Sequence, residues 1–249
     1  MAGDDDVLYL DSISNNPNFD FLTHYSSSVP IEDEQSNTIS PYTNIDVCCK
    51  YYDEIEFVNE FKLKNEQLFL SLNVQSLPAK FNELDEFISY LKNNGCEPDF
   101  ICLQETWKIF DQSLFTIEGY NLEIKSRSKN TQGGGVGIYI KKGLRYNVLQ
   151  ESSIFIDKVF ESLFIEVYDE SSKFIVGSVY RPNSAHPNLT CNEQMTQSME
   201  LFSNQVAHLS SLNLTVHILG DFNIDLLNIM NLTLYKIMLT CFSPQAFYS

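Results

Sequence analysis

The sequence of 249 residues lacks any run of about 20 consecutive apolar residues, the length that a helix needs to cross a bilayer. Its first residues, MAGDDDVLYLDS, are acidic where a secretory signal peptide carries basic residues. These two absences argue against a membrane-spanning or secreted protein, and we expect an intracellular one.

The six cysteines lack the spacing of a zinc site, since none forms a CxxC pair. Cys102 lies in the apolar run FICL, which predicts a buried, reduced thiol. This use of cysteine favours a reducing compartment.

Basic residues are almost missing from the start of the chain. Residues 1–60 hold 13 Asp and Glu but one Lys, so most of the net charge of −17 belongs to this segment. It is rich in Asn, Ser, Pro and Asp without a sustained period, which is typical of disorder. We therefore predict an acidic, largely disordered leader over 1–61 and one domain over 62–249.

Positive charge is concentrated in one stretch of that domain. Between Ile124 and Glu151 there are six basic residues and no acid, a composition that suits a polyanion such as a nucleic-acid backbone. A solvated surface hairpin explains the same charge, and composition leaves both interpretations open. The six residues are Lys125, Arg127, Lys129, Lys141, Lys142 and Arg145.

Apolar periodicity alternates along the domain. QLFLSLNV predicts a strand, and the segment after it has helical spacing up to Gly95. DFICLQE predicts another strand, three β-rich runs follow, and a helix is predicted over 192–212 before the strand TVHILGDFN. The pattern indicates an α/β or α+β domain in which helices cover sheets.

Polar residues follow four of the predicted strands. Alone, each is better explained as a turn residue or a solvated side chain. Together they are typical of a site, because strand ends meet at one edge of a sheet. The residues are Asn73, Gln104 and Glu105, Tyr180 and Arg181, and Asp221 and Asn223.

The ordered motifs SLNVQSL, DFICLQETW, GGGVGIYI, GSVYRP and LGDFNIDLL resemble those of the endonuclease/exonuclease/phosphatase superfamily. They are most similar to the apurinic-type endonuclease domain of non-LTR (LINE, jockey and CR1-like) retrotransposon polyproteins, over about residues 68–240. The resemblance implies a four-layered sandwich of two packed mixed β-sheets flanked by helices. It also implies a metal site at one edge of the sandwich.

By resemblance, Glu105 anchors Mg²⁺ or Mn²⁺, with Asn73 in or just behind the first ligand shell. Mg²⁺ prefers hard oxygen ligands and keeps several waters, so one carboxylate is enough as an anchor. Asp221 would orient and deprotonate the water that attacks a phosphodiester of DNA.

Three further residues would contact the phosphate. Asn223 would lie on the same side of an extended strand as Asp221 and donate its amide. Tyr180 would place its phenolic oxygen near the scissile phosphate, and Arg181 would add a charge-assisted contact. Gly220 would let the backbone approach the phosphate without a Cβ.

The chain departs from this family at two functional places. Gln75 stands where the first motif often has an acid, and no His follows His217, whereas the family ends in Ser-Asp-His. His217 itself lies inside an apolar strand. We therefore expect a truncated copy that lacks the last strands of the sandwich and has impaired nuclease activity.

Other functions use the same residues on the same fold. Phosphatases of inositol phosphates, sphingomyelinases and RNA deadenylases share the constellation, so fold alone does not choose the substrate. A non-catalytic remnant that binds nucleic acid is the third interpretation. A location in the nucleus is expected from the family.

Overall fold

The computed structural model describes residues 7–10, 22–26, 48–62, 67–127, 133–169 and 172–223. The helices are α1 (Glu54–Phe61), α2 (Leu77–Asn93) and α3 (Cys191–Ser210), with a short 3-10 helix at Gln112–Phe115. The strands are β1 (Val7–Leu10), β2 (Leu22–Ser26), β3 (Cys48–Tyr52), β4 (Phe69–Asn73), β5 (Phe100–Gln104), β6 (Tyr120–Lys125), β7 (Val136–Lys141), β8 (Arg145–Val148), β9 (Phe155–Ile156), β10 (Phe160–Tyr168), β11 (Lys173–Tyr180) and β12 (Thr215–Asp221). Within these ranges, no helix has the length and apolar character that crossing a membrane requires.

The strands form two mixed sheets. The first has the order β3-β2-β1-β4-β5-β7-β6, with β4 parallel to both β1 and β5. The second has the order β12-β11-β10-β8, with β11 parallel to β12 and β9 paired to β10. The parallel pair β4 and β5 in the first sheet and the parallel pair β11 and β12 in the second end at or next to the polar residues that the sequence singles out.

The two sheets pack face to face with helices on both outer faces. Phe69, Phe100 and Ile138 of the first sheet meet Ile165 and Leu219 of the second in one buried cluster. Helices α1 and α2 cover the outside of the first sheet, and α3 covers the second. The predicted four-layered sandwich is confirmed, and its inner strands are apolar on both faces because both faces are buried.

The two predicted helices begin at residues that cap them. Ser76 accepts the backbone N–H of Ala79 at the start of α2, and Thr190 forms a capping box with Glu193 at the start of α3. Helix α3 spans almost the predicted range, and its apolar face packs on β10 and β11.

The segment just before residue 62 packs on the domain. Helix α1, capped by Asp53, buries Phe57, Val58 and Phe61 in the same cluster as α2. Strands β1 to β3 also lie within 1–61 and extend the first sheet. The rest of that segment lies outside the described residues, as does 224–249, so the division at residue 62 and the missing last strands stay predictions.

Gly220 is required by its neighbouring strand. A Cβ on Gly220 would lie 1.9 Å from the carbonyl oxygen of Val179, its partner on β11. The sequence had predicted that this glycine serves close approach to a phosphate, and the structure corrects that explanation. The missing side chain lets β12 lie against β11 and so fixes where Asp221 ends the strand.

We expect Gly220→Ala to lower the free energy of unfolding by about 1–3 kcal/mol, because the added methyl group must push β12 away from β11. Urea denaturation measures the change. Gly137→Ala is the matched control, since its Cβ would come no closer than 3.3 Å to any neighbour and it also lies in a strand. Equal stabilities of the two variants would contradict this explanation.

Candidate active site

The carboxyl ends of four strands from both sheets meet at one edge of the sandwich. Asn73 ends β4, Glu105 follows β5, Tyr180 ends β11 and Asp221 ends β12. Hydrogen bonds join Asn73 to Asp221 and Tyr180 to Glu105, so each bond links one sheet to the other. The structure therefore brings together the residues that the sequence predicted for metal binding and catalysis.

The side-chain amide of Asn73 lies at the centre of this arrangement. Its Nδ2 donates to Oε1 of Glu105 at 3.0 Å and to Oδ2 of Asp221 at 2.9 Å. Its Oδ1 accepts the backbone N–H of Gln75 at 3.3 Å, which fixes the orientation of the amide. One amide thus holds two carboxylates beside each other.

Tyr180 adds a second donor to Glu105. The phenolic hydroxyl donates to Oε1 at 2.8 Å, and the ring is buried between the sheets. Burial raises the pKa of Tyr180, and the nearby carboxylates of Glu105 and Asp221 raise it further. Tyr180 therefore remains a neutral hydrogen-bond donor at neutral pH.

Asn223 holds Asp221 in place. Its backbone N–H donates to Oδ1 of Asp221 at 2.8 Å, and its Nδ2 donates to Oδ2 at 3.1 Å and to the carbonyl of Arg181 at 2.9 Å. The predicted extended strand between the two residues is wrong, because β12 ends at Asp221 and Asn223 has a φ of 49°. Both amide hydrogens already have protein acceptors, so the predicted donation to a phosphate requires one of these bonds to be exchanged.

Arg181 is buried in the protein. Its guanidinium donates to the backbone carbonyls of Pro182, Phe222 and Asn223, and the residue is 5% exposed. The prediction that Arg181 contacts the substrate is therefore corrected. Its charge is used to hold the turn that follows Asp221.

The loop that carries Glu105 has an unusual backbone. Glu105 and Trp107 both have positive φ, at 53° and 60°, in a region that side chains usually avoid. The conformation is held by hydrogen bonds from Thr106 and Trp107 to the carbonyls of Gly135 and Gly134. Such constraints are typical of positions where the surrounding structure fixes a functional side chain.

Residues 70–240 match the endonuclease/exonuclease/phosphatase family. The chain belongs to this family. The predicted superfamily is therefore confirmed, while the retrotransposon branch stays a prediction.

Two solved structures illustrate the similarity. The AP endonuclease LMAP from Leishmania major is 18% identical, with a TM-score of 0.49 over 63% of this chain and 55% of that protein. TDP2 from D. rerio, complexed with single-strand DNA product, is 17% identical, with a TM-score of 0.46 over 65% of this chain and 62% of that protein. The chain therefore spans less than two thirds of either protein. No curated protein was found to match the sequence.

A buried ion pair between Arg127 and Glu161 lies next to the site. Glu161 lies opposite Tyr180 in the pairing of β10 with β11, is fully buried, and accepts from Nε of Arg127 at 2.5 Å. Its other oxygen accepts the backbone N–H of Gly135. Burial raises the pKa of Glu161, and the charge of Arg127 opposes that rise. The predicted contact of Arg127 with nucleic acid is wrong, because its guanidinium is enclosed with Glu161.

Glu161 is a residue of the site region that the sequence does not single out. Nothing in its local pattern, FESLFIEV, distinguishes it from the other acids of a β-rich run. Its place next to the site is recognisable only from the strand register, which pairs Glu161 with Tyr180.

The other basic residues of the stretch do not form a patch at this edge. Val136 pairs with Gln104 beside the site, so Lys141, five residues further along β7, lies about 17 Å away. At that end of the strand Lys141 forms salt bridges with Glu97 and Asp99. Lys142 follows it, and Arg145 pairs with Tyr168 at the same far end. Lys141, Lys142 and Arg145 therefore lie away from the candidate active site, and their predicted binding of a nucleic-acid backbone stays a prediction.

Two lysines of the stretch remain. Lys125 ends β6 at the site edge, and its Nζ donates to the carbonyl of Ser153 at 3.0 Å. Lys129 lies outside the described residues. Binding of nucleic acid by either stays a prediction.

Residues between the two sheets test two smaller predictions. Cys102 is a free, fully buried thiol whose pKa is raised by burial, as predicted. His217 stacks on Phe69 with ring centroids 4.6 Å apart, in the core-flanking position predicted for it. Gln104 is buried and donates to Ser178 on the facing sheet at 3.1 Å, so it joins the sheets.

The chemistry of the donors fits a divalent cation. Among the described residues, no group of three or more His, Cys, Asp or Glu side chains could hold a metal by itself. Glu105 and Asp221 nevertheless bring two carboxylates to one amide. Carboxylate oxygens are ligands that Mg²⁺ and Mn²⁺ prefer, so Glu105 and Asp221 fit such a cation, while Asn73 presents its amide nitrogen to both of them.

We expect Arg127→Met to lower the free energy of unfolding by about 3–5 kcal/mol, because it leaves the buried charge of Glu161 without its partner. Urea denaturation measures the change. Lys80→Met is the matched control, since Lys80 forms a pair with Glu83 at the surface and such pairs contribute about 0–1 kcal/mol.

A DNA-binding role for Arg127 makes a different prediction. In that case Arg127→Met would weaken DNA binding and leave the free energy of unfolding unchanged. That outcome would contradict the buried pair.

Proposed function

We propose that the chain is a divalent-metal-dependent phosphodiesterase domain that nicks DNA by attack of water on a phosphodiester. The observation that supports it best is the pair of carboxylates, Glu105 and Asp221, held beside each other by the amide of Asn73. The order of the motifs supports the finer proposal that the domain derives from a non-LTR retrotransposon.

Glu105 would hold the metal, with Asn73 beside it. A divalent cation bound there would stabilise the negative charge that develops on the phosphate oxygens during attack. Tyr180 keeps Glu105 in one orientation through its hydroxyl, and it remains protonated because burial raises its pKa.

Asp221 would accept the proton of the attacking water. Its carboxylate receives hydrogen bonds from the backbone and side chain of Asn223 and from Asn73, so both of its oxygens are oriented. A carboxylate fixed in this way, and partly accessible, meets the geometric requirement for a general base.

The choice of DNA as substrate rests on the motifs. The basic stretch no longer supports it, since Arg127 is buried and Lys141 lies at the far end of its strand. Cleavage of inositol phosphates or RNA, and binding without cleavage, are therefore the outcomes that the activity test must separate. Nuclear localisation is part of the same proposal.

We expect nicking of supercoiled plasmid that requires Mg²⁺ and falls by about 10²–10⁴ in Asp221→Asn, because the general base is lost. Gel electrophoresis of the plasmid measures the rate. Glu151→Gln is the matched control, since Glu151 is an exposed surface acid. Release of phosphate from inositol phosphates, or of nucleotides from RNA, without plasmid nicking would assign the site to the other substrates. A folded chain with none of these activities would reject catalysis.

Metal binding is testable without turnover. We expect Mg²⁺ to raise the melting temperature, because a cation that binds the folded state stabilises it by mass action and relieves the repulsion between Glu105 and Asp221. Glu105→Gln keeps an oxygen for the bonds from Asn73 and Tyr180 but loses the charge, so its melting temperature in EDTA should be maintained and its response to Mg²⁺ lost. Equal responses in the two proteins would place the cation elsewhere.

A further inference from the structure

Exposed apolar side chains are concentrated in the loop that follows Glu105 of the candidate active site. Six large apolar residues among those described are strongly exposed, and three of them lie in the loop after β5. They are Trp107 at 39%, Phe110 at 87% and Leu114 at 67% exposure. The loop therefore presents two aromatic rings to solvent where folding alone would favour burial.

Trp107 is fixed next to the proposed metal ligand. Its indole Nε1 donates to Oε2 of Glu105 at 3.4 Å, on the side of the carboxylate away from Asn73 and Tyr180. Its backbone N–H donates to the carbonyl of Gly134 at 2.7 Å. A substrate bound at the candidate site would therefore have this ring as a neighbour.

Phe110 is a second exposed ring, three residues further along the same loop. The ammonium group of Lys108 lies 4.3 Å from the centre of the Phe110 ring. Between Thr106 and Phe110 the loop contains this one charged residue and no acid. The combination of exposed rings and a positive charge matches a strand that alternates flat bases with phosphates.

We propose that Trp107 and Phe110 form a stacking platform for unpaired nucleobases next to the phosphate that is cleaved. This inference rests on the proposed function and names the substrate class, a nucleic-acid strand with exposed bases. An inositol phosphate offers no aromatic face to these rings. Every nucleobase has an aromatic face that can stack on them. The platform therefore favours single-stranded or opened segments without strong sequence preference.

The tryptophan fluorescence of the unmodified chain reports on this platform, because Trp107 is the single tryptophan of the sequence. Titration with a single-stranded oligothymidylate in EDTA and low salt, where metal-dependent cleavage is absent, should quench the tryptophan emission as bases stack on the indole. An abasic strand of the same length carries the same phosphates without bases and should leave the emission almost unchanged. Anisotropy of a dye on each strand measures its affinity independently.

Phe110→Leu removes the second ring and keeps an apolar side chain. We expect it to weaken oligothymidylate binding roughly 5- to 150-fold, the range for loss of one base-stacking ring. Its affinity for the abasic strand should stay the same. Leu114→Ala is the matched control, since Leu114 is exposed in the same loop but has no ring, and it should bind both strands like the unmodified chain.

The outcomes separate this inference from the proposed function. Equal affinity and equal quenching for the two strands would overturn the platform and leave phosphodiester cleavage to be judged by plasmid nicking. Base-dependent quenching without plasmid nicking would support the platform and reject the proposed nicking of DNA. A chain that sediments as a dimer, becomes monomeric on Phe110→Ser and binds neither strand would assign the rings to self-association and overturn the inference.

Discussion

The shared amide of Asn73 is the interaction on which the site depends. It contacts one carboxylate from each sheet, so its two bonds exist only when the sheets are stacked with their strand ends level. Two carboxylates at such short range repel each other unless donors or a cation lie between them. Holding the two carboxylates close together therefore costs free energy, and the rest of the fold must offset this cost.

The core between the two sheets supplies the stabilising contacts that offset this cost. Apolar side chains from both sheets fill the interface, and the buried bond from Gln104 to Ser178 connects the sheets immediately behind the site. Gly220 allows β12 to lie against β11, and the pair of Arg127 with Glu161 fixes the loop that holds Glu105. Packing and buried polar contacts thus set the positions of the two carboxylates together.

Features that depend on the local pattern of apolar and polar residues could be predicted from the sequence. Strands that end in polar residues were recognisable, and they converge because parallel strands end at the same edge. Charge clusters were misleading, since a strand of six residues carries Lys141 to the opposite end from Lys125, although both lie in one basic stretch. The buried roles of Arg127 and Arg181 depend on partners in distant strands and turns, which spacing along the chain does not reveal. The position of Asn223 was mispredicted because the turn after Asp221 replaces the strand.

The bond between Asn73 and Asp221 joins residues 148 positions apart. Contacts at such separation form slowly, because the intervening chain must be ordered before they contribute. During synthesis the first sheet can form around Asn73 and Glu105 while the chain that will become β12 has not yet left the ribosome. The two carboxylates of the candidate site therefore come together only when β12 docks beside β11, late in the synthesis of the chain.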